Sequence, residues 1–261
     1  MTIEETRALW ERFKIADSAH DAEGTAAVYA EDVVLTGTPL RGRATLKKFD
    51  SDFWAAFPDY KREYLREVVS DDSVALVWRV TATHTGEWIG IEPTGLSLDW
   101  RGCSIFTIRD GHIAEAQAFQ RDIIGELRRE ANLQLVRRLV EAENAGDLDA
   151  YAACMAPDIE VWVNGKLTQT SRESQRESTR ATLAAFPDWR RETLALTGDG
   201  DLAVLRWRGE GTHSAAWAGV PASGNRVEIH GTSTVEVKRG LMQRIWIDMD
   251  MAGPLRQMGG G

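Results

Sequence analysis

The sequence lacks most of the features that would tie it to nucleic acid, to a membrane or to an oxidising compartment. Its two cysteines, Cys103 and Cys154, are too few for a disulfide framework or a metal cluster, and they indicate a reducing compartment. A net charge of −9 argues against nucleic acid or an anionic membrane surface as a partner, because phosphate binding needs clustered Lys and Arg. No apolar run is long enough to cross a bilayer, and the charged N-terminal stretch has no signal-peptide core. We therefore expect a cytoplasmic protein.

Cofactor motifs are absent as well. The sequence contains no Gly-rich phosphate loop, no zinc-ligand spacing and no Gly-x-Ser-x-Gly elbow. We therefore predict that the protein requires no nucleotide, flavin or metal cofactor. The composition, 43% hydrophobic and 27% charged, is that of a folded globular protein, and 261 residues are enough for two domains.

What the sequence does contain is a long internal repeat. The stretch "WRVTATHTGEW" at residues 78–88 returns as "WRGEGTHSAAW" at residues 207–217. A shift of 129 residues aligns 55–111 with 184–240 without a gap, and 20 of the 57 aligned positions are identical. Chance would give about one identity in seventeen positions. Because the period is far longer than that of a solenoid repeat, the sequence predicts a duplicated domain.

Each copy has the pattern of an α+β domain. An amphipathic helix opens each copy, at residues 4–20 and 130–145, and a short helix, a strand, a third helix and several alternating strands follow. Helices followed by a run of antiparallel strands predict the α+β class, here two tandem cone-shaped barrels in which a bent antiparallel sheet wraps around helices. We place the first copy at residues 1–128 and the second at 129–261. No linker rich in Pro, Gly or Ser separates them, so we expect the two domains to pack together.

Three motifs occur in the same order in each copy. They read "FPDYKRE", "THTGEWIGIEPTG" and "DGHIAEAQAFQRD" in the first copy, and "FPDWRRE", "THSAAWAGVPASG" and "GLMQRIWIDMDMAGPLRQMG" in the second. These motifs resemble the SnoaL-like polyketide cyclases, which belong to the ketosteroid-isomerase and nuclear-transport-factor-two superfold. The resemblance implies an α+β cone with a small-molecule pocket at its open end. It also implies that the two domains of one chain pair as the two subunits of a dimer would. With such an intramolecular pseudo-dimer, the chain could be a monomer.

The same resemblance identifies Asp250 as the first candidate for a catalytic acid–base, because it matches the position of the family's aspartate. Strand alternation places Trp246, Asp248 and Asp250 on one face, and an acid beside Trp in a cavity would have its pKa raised by desolvation. In the first copy Asp122 lies one residue further from its turn, so a β-bulge would be needed to bring it into the pocket. The competing interpretation is a solvated carboxylate at the point where the strand leaves the sheet.

The repeated histidines are the second set of candidates. His84 and His213 share strand parity with Trp78 and Trp207, and the residues between them are small in the second copy. An imidazole on such a face could orient or protonate a substrate oxygen, since its pKa lies near neutrality. The alternative is a histidine at a strand end that caps the carbonyl groups of a loop.

A carboxylate dyad is the third possibility. Asp59 and Asp188 close the two "FPD" motifs, and Asp32 and Asp158 lie near the start of the preceding strand. A pair such as Asp32 and Asp59, or Asp158 and Asp188, resembles the dyads of polyether epoxide hydrolase-cyclases of this superfold. That chemistry needs one protonated and one ionised carboxyl group. The alternative for Asp59 and Asp188 is ordinary turn chemistry.

The ten tryptophans favour a bulky apolar ligand over a sugar or a nucleotide. The predicted substrate-binding residues are Trp54, Trp78, Trp88, Trp207, Trp217 and Trp246. The leading prediction is therefore a cofactor-independent acid–base enzyme that cyclises or isomerises an apolar, polyketide-like intermediate of secondary metabolism. The alternatives are an epoxide hydrolase-cyclase that forms a cyclic ether, and a small-molecule binding protein without catalysis.

Overall fold

The structure, a computed structural model, describes residues 1–259, and the chain divides into two compact units. The first unit is Met1–Leu127 and the second begins at Arg128. None of the described helices is both long enough and apolar enough to cross a membrane.

Within residues 1–259 each unit combines helices with one sheet. The helices are α1 (Ile3–Ser18), α2 (Ala22–Val28), α3 (Arg43–Ala56), α4 (Ile123–Ala145), α5 (Leu148–Ala153), α6 (Arg172–Ala185) and α7 (Ala252–Gln257). The strands of the first unit are β1 (Tyr29–Thr36), β2 (Lys61–Val69), β3 (Ser73–Thr83), β4 (Ser97–Arg109) and β5 (His112–Gln120). Those of the second are β6 (Met155–Val163), β7 (Lys166–Gln169), β8 (Arg190–Asp199), β9 (Leu202–Thr212), β10 (Arg226–Lys238) and β11 (Leu241–Met249).

The two sheets have the same topology apart from one added edge strand. The order is β1-β5-β4-β3-β2 in the first unit and β7-β6-β11-β10-β9-β8 in the second. The predicted α+β class is confirmed. The expectation of a wholly antiparallel sheet was wrong at one edge, since β1 runs parallel to β5 and β6 runs parallel to β11. A helix follows β1 in the first unit and the β6–β7 hairpin in the second, and such a connection, unlike a hairpin, lets a strand join a later strand in parallel.

Sequence signals explain where several elements begin and turn. Thr2 and Glu5 form a capping box that starts α1. Asp110 and Gly111 form the turn between β4 and β5, and both have positive φ, as a two-residue type I′ turn requires. Helix α4 begins earlier than predicted from the amphipathic pattern, because Asp122 accepts a hydrogen bond from an amide in its first turn.

The core of each unit lies between the sheet and its first helix. In β3 the alternate residues Val74, Leu76, Trp78 and Val80 are buried, so one face of the strand points to the core. A register shift in β2 next to Tyr64 recurs at the equivalent point of β8. Such bulges increase the bend of a strand, and they help each sheet to curve around its helices.

Candidate active site

Each unit contains a cavity between its helices and the inner face of its sheet. Helices α1 and α3 line the first cavity, and α4, α5 and α6 line the second. The first cavity has a volume of about 190 Å³ and the second about 510 Å³. Both are lined mainly by apolar and aromatic side chains with a small number of polar groups, which is the usual character of a small-molecule pocket.

A buried acid–arginine pair lies in the wall of the first cavity. Asp17 is only 4% exposed and follows Phe13 by one turn on the apolar face of α1. Its carboxylate accepts hydrogen bonds from the hydroxyls of Tyr64, at 2.8 Å, and Tyr60, at 3.4 Å. The guanidinium of Arg62 lies 3.3 Å from the same carboxylate. These partners compensate a charge that would be costly to bury alone.

A second carboxyl group, that of Asp50 on α3, lines the same cavity. It accepts hydrogen bonds from the Thr25 hydroxyl at 2.9 Å and from the Tyr29 hydroxyl at 3.5 Å. Burial, together with the negative charge of Asp17, raises the pKa of Asp50 from 3.8 to about 6, although the hydrogen bond from Thr25 opposes the shift. Two carboxyl groups in unlike surroundings are the arrangement that divides acid and base roles in known enzymes.

Hydrogen-bond donors accompany these acids. Burial raises the pKa of Tyr29 and of Tyr60 well above the ordinary value, so both hydroxyls stay protonated near neutral pH. Arg62 also lines the cavity, and its Nε atom has no hydrogen-bond partner among the described residues. The first cavity therefore combines a titratable carboxyl group with the guanidinium of Arg62 in its wall.

The second unit keeps the acid–arginine pair. Glu143 takes the position of Asp17 and Arg191 that of Arg62, 126 and 129 residues further along the chain. The Glu143 carboxylate accepts a hydrogen bond from the Trp189 indole at 2.9 Å and lies 3.0 Å from the Arg191 guanidinium. Glu143 is 4% exposed, so its charge too is buried and compensated.

The second unit lacks an equivalent of Asp50. A shift of 129 residues places Thr179 there, and it replaces Leu46 by Gln175. The Gln175 amide donates to the Tyr151 hydroxyl at 2.9 Å and to the Thr179 hydroxyl at 3.4 Å. Neutral polar groups thus occupy the wall where the first cavity has its titratable carboxyl group.

Aromatic side chains fill space in the first cavity that is open in the second. Phe49 and Phe53 of α3 line the first cavity, and their rings lie 6.0 and 5.3 Å from that of Trp88. At the equivalent positions α6 carries Ser178 and Thr182, which line the second cavity. Two large side chains in the wall of the first cavity are therefore replaced by small ones in the second.

Five of the six predicted tryptophans line a cavity. They are Trp54, Trp78 and Trp88 in the first cavity and Trp207 and Trp217 in the second. Trp78 and Trp207 also donate hydrogen bonds to the equivalent residues Ser104 and Ser233.

The predicted placement of Trp246, Asp248 and Asp250 on the cavity face was wrong. The β11 residues that line the second cavity are Ile245, Ile247 and Met249, and alternation directs Trp246 and Asp248 to the other face. Asp250 follows the strand, is exposed, and accepts hydrogen bonds from the first amides of α7. It lies in an open depression together with Asn164, Arg206, His230 and Asp248.

Asp122 has the same role as Asp250 at the start of α4. It is exposed and accepts a hydrogen bond from the Gly125 amide at 2.9 Å, as Asp250 does from Gly253 at 3.1 Å. The bulge that would be needed to bring Asp122 into the pocket is not found. The register shifts of β5 and β11 lie at equivalent points close to the hairpin. Arg121 is the additional residue, and it lies between the end of the strand and the helix cap.

The repeated histidines hold a loop and line neither cavity. His84 and His213 are fully buried, and their ring centroids lie 5.1 and 5.4 Å from those of Phe57 and Phe186. In the first unit His84 Nδ1 accepts the backbone amide of Thr94 at 3.2 Å, so its proton lies on Nε2. His213 Nδ1 lies 3.1 Å from the hydroxyl of Ser223, the residue equivalent to Thr94. Desolvation lowers the pKa of His84, which favours its neutral form.

The predicted carboxylate dyads are not brought together by any contact among the described residues. Asp59 binds the amide and hydroxyl of Thr83, at 2.7 Å each, and Asp188 binds Thr212 in the same way. These bonds lower the pKa of Asp188, and in Asp59 they outweigh a desolvation that acts in the opposite direction. They join the end of the preceding helix to the neighbouring strand.

The other member of each dyad lies elsewhere. Asp32 is exposed and forms an ion pair with Arg109 across the sheet edge, and Asp158 is exposed on β6. Neither residue lines a cavity.

The sequence analysis did not single out Asp17, Glu143 or Asp50. The signal was present in the helical spacing. Asp17 continues the buried series Leu9 and Phe13, and Asp50 lies one turn from the buried Leu46. An acid inside an apolar helical stripe indicates a buried, partnered or titratable carboxyl group.

Comparison with known proteins gives the family. A sequence profile of the SnoaL-like polyketide cyclases matches the chain twice, over residues 6–123 and 133–258. No curated protein sequence matches it.

Solved structures similar to the chain each correspond to about half of it. IdmH from Streptomyces antibioticus, a proposed polyketide cyclase, is 28% identical with a TM-score of 0.44, covering 49% of this chain and 98% of its own. TsrD from Streptomyces laurentii is 26% identical with a TM-score of 0.47, covering 51% and 98%. AclR from Streptomyces galilaeus, a proposed hydroxylase, is 24% identical with a TM-score of 0.46, covering 50% and 85%. Because the family profile accounts for most of the chain in two successive matches, this protein belongs to the SnoaL-like polyketide cyclase family and carries two copies of its domain in tandem.

Proposed function

We propose that this protein is a cofactor-independent acid–base enzyme that cyclises or isomerises an apolar, polyketide-like carbonyl compound in its first cavity. The observation that carries the proposal is Asp50, a desolvated carboxyl group that lines an aromatic cavity and has its pKa raised to about 6. A carboxyl group with a pKa near the working pH is well suited to proton transfer.

Asp50 acts first as the base. Near neutral pH most of it is ionised, and it takes a proton from the carbon next to a substrate carbonyl group. The electrons of that C–H bond form an enolate, whose oxygen is stabilised by the guanidinium of Arg62 in the cavity wall. Preorganised donors of this kind lower the barrier most when they point to the atom that gains charge.

Asp50 then returns the proton as the acid. Return to a different carbon gives isomerisation. Attack of the enolate carbon on a second carbonyl group forms a ring bond, and the proton then neutralises the new alkoxide. Asp17 and Arg62 act as a positioning pair, because their mutual contact fixes the guanidinium in the cavity wall.

The experiment uses 2-tetralone, a small cyclic aromatic ketone, as a surrogate substrate. Exchange of its α-hydrogens for deuterium, followed by NMR in D2O, reports the proton-abstraction step alone. We expect Asp50→Asn to slow the protein-catalysed exchange by about 10²–10⁴-fold, the usual contribution of a general base. Far-UV circular dichroism checks that the variant is folded.

Asp250→Asn is the matched comparison, since Asp250 is the acid to which the family resemblance points. We expect it to exchange within about threefold of the unaltered chain and to lose about 1 kcal/mol of stability through its cap. Full exchange by Asp50→Asn together with loss in Asp250→Asn would transfer the chemistry to Asp250, with Asp122, His84 and His213 as its predicted partners.

Epoxide opening with ether-ring formation is a second candidate. The feature that favours it is the presence of two carboxyl groups, Asp17 and Asp50, in one cavity. One would protonate the epoxide oxygen and the other would accept the proton of the attacking hydroxyl group. Opening of a neutral aryl epoxide such as styrene oxide by the unaltered chain, lost in Asp50→Asn, would select this reaction. The cytoplasmic location and the pseudo-dimer remain predictions from the sequence.

A further inference from the structure

The second cavity differs from the first in the way that a binding site differs from a catalytic site. It has more than twice the volume, about 510 Å³ against 190 Å³. Ser178 and Thr182 leave open the space that Phe49 and Phe53 occupy in the first unit. A cavity of this volume lies within the usual range for sites that hold molecules of drug size.

The polar groups of the second cavity are neutral or already paired. Glu143 is the one carboxylate among the described residues that line it. The Trp189 indole donates to its Oε1 atom, and its Oε2 atom lies 3.0 Å from the Arg191 guanidinium. The remaining polar lining groups are hydroxyls, amides and indoles, among them those of Tyr151, Gln175 and Trp217. A charged ligand would lose its hydration here without gaining a partner of opposite charge.

The neutral groups are arranged to bind an oxygen atom. Tyr151 accepts a hydrogen bond from Gln175, and burial raises the pKa of its hydroxyl, so the hydroxyl keeps a proton to donate. A carbonyl or hydroxyl oxygen of a ligand accepts a hydrogen bond from this hydroxyl, whereas a pure hydrocarbon leaves it unpaired.

We propose that the second unit binds, without transforming it, an uncharged and largely apolar molecule that carries a carbonyl or hydroxyl oxygen. The chain then combines a cavity that performs proton transfer with a cavity that only holds a ligand. The assignment of turnover to the first cavity rests on the proposed function above. The binding property of the second cavity does not depend on it.

The test uses prodan, 6-propionyl-2-(dimethylamino)naphthalene, an uncharged aromatic ketone whose fluorescence shifts when it leaves water. The full chain is titrated with prodan, and the same titration is done with Ser178→Phe/Thr182→Phe, which introduces the aromatic residues of the first unit into the second cavity. We expect saturable binding to the unaltered chain and at least a tenfold loss of affinity in this double variant.

Two first-unit variants are the controls. Asp50→Asn alters the first cavity chemically, and Ala118→Ile narrows it with the residue found at the equivalent Ile247. Both should bind prodan within about twofold of the unaltered chain. Absence of saturable binding, unchanged binding in the double variant, or tenfold loss in either control would overturn the proposal.

Tyr151→Phe provides a test that does not depend on the folding of the double variant, since it removes only the hydroxyl that donates to the ligand oxygen. Loss of this hydrogen bond should weaken prodan binding by about three- to tenfold. Binding of 2-(dimethylamino)naphthalene, which lacks the ketone, should change by less than twofold. Equal losses for the two probes would contradict a site that recognises an oxygen atom.

Exchange of 2-tetralone by the same variants separates this proposal from the proposed function. Ser178→Phe/Thr182→Phe should keep the exchange rate of the unaltered chain while its affinity for prodan falls. If the double variant loses exchange and Asp50→Asn keeps it, the chemistry lies in the second unit and both proposals fail. If Asp50→Asn keeps the exchange rate but the affinity for prodan falls only in the second-unit variants, only the proposed function fails.

Discussion

The two units of this chain share a fold and a buried ion pair but differ in one wall of their cavities. Asp17 and Arg62 in the first unit correspond to Glu143 and Arg191 in the second, and each pair is buried and in contact. On α3 the first unit carries Asp50, where α6 of the second unit carries Thr179. The pair is therefore a property of the duplicated fold, whereas the titratable carboxyl group belongs to the first unit alone.

This difference shows how a duplication can separate tasks that a single domain must combine. A proton-transfer group needs desolvation, which a narrow aromatic cavity supplies, and this costs stability because the carboxylate is ionised near neutral pH. A copy without this carboxyl group is not destabilised in this way. Its cavity can widen while the other copy continues to perform proton transfer. The replacement of Phe49 and Phe53 by Ser178 and Thr182 is consistent with this relaxation.

The largest effect on stability is expected from the buried acid–arginine pair that both units share. Glu143→Leu leaves Arg191 buried without its partner, and Asp17→Leu does the same to Arg62, so each should lower the free energy of unfolding by about 3–5 kcal/mol. Denaturant unfolding of the full chain measures this change in the free energy of unfolding. The double variant Glu143→Leu/Arg191→Met should regain most of the loss, because replacing both charges removes the unpaired group. Losses below about 1 kcal/mol in both single variants would show that the pairs are not structural.

A smaller, pH-dependent effect is expected where the units differ. Folding raises the pKa of Asp50 from 3.8 to about 6, so the folded chain holds this proton more tightly than the unfolded chain between those pH values. The resulting stabilisation is complete below pH 3.8 and is lost as the pH rises through about 6. Asp50→Asn should therefore raise the unfolding free energy at pH 8 by up to about 3 kcal/mol relative to the unaltered chain, and the gain should vanish near pH 4.

Thr179→Asp is the reciprocal variant and makes the second unit resemble the first. It should lose stability at pH 8 and regain it near pH 4, the opposite of Asp50→Asn. Denaturant midpoints at the two pH values compare the variants directly. A pH-independent effect of Asp50→Asn would contradict the desolvation of Asp50.

The fold was largely predictable from the sequence, because its signals are local or repeated. Helical spacing, strand alternation and the Asp110-Gly111 turn place the main elements, and the repeat applies the same assignment twice. The parallel pairing of β1 with β5 was not predictable from these signals, since it joins residues far apart in the chain.

The candidate site was less predictable, because it depends on which alternate residues of a strand face the cavity and on contacts between elements far apart in the sequence. The predicted alternation of β11 was one residue out of register at Trp246. The residues of β11 that line the cavity are Ile245, Ile247 and Met249. The identical His84 and His213 reflect a shared way of holding a loop, whereas the functional difference lies at Asp50 and Thr179, which are not identical. Identity between the copies therefore identified common structure, and divergence marked the chemistry.

The most direct test of the central claim is a titration of Asp50 itself. Carboxyl ¹³C NMR of the full chain, compared with Asp50→Asn to assign the signal, follows ionisation of this group without any substrate. The account predicts a midpoint near pH 6 for the Asp50 signal, well above the 3.8 of an ordinary aspartate. A midpoint at or below pH 4 would show that Asp50 is solvated, and the first cavity would then have no group suited to proton transfer near neutral pH.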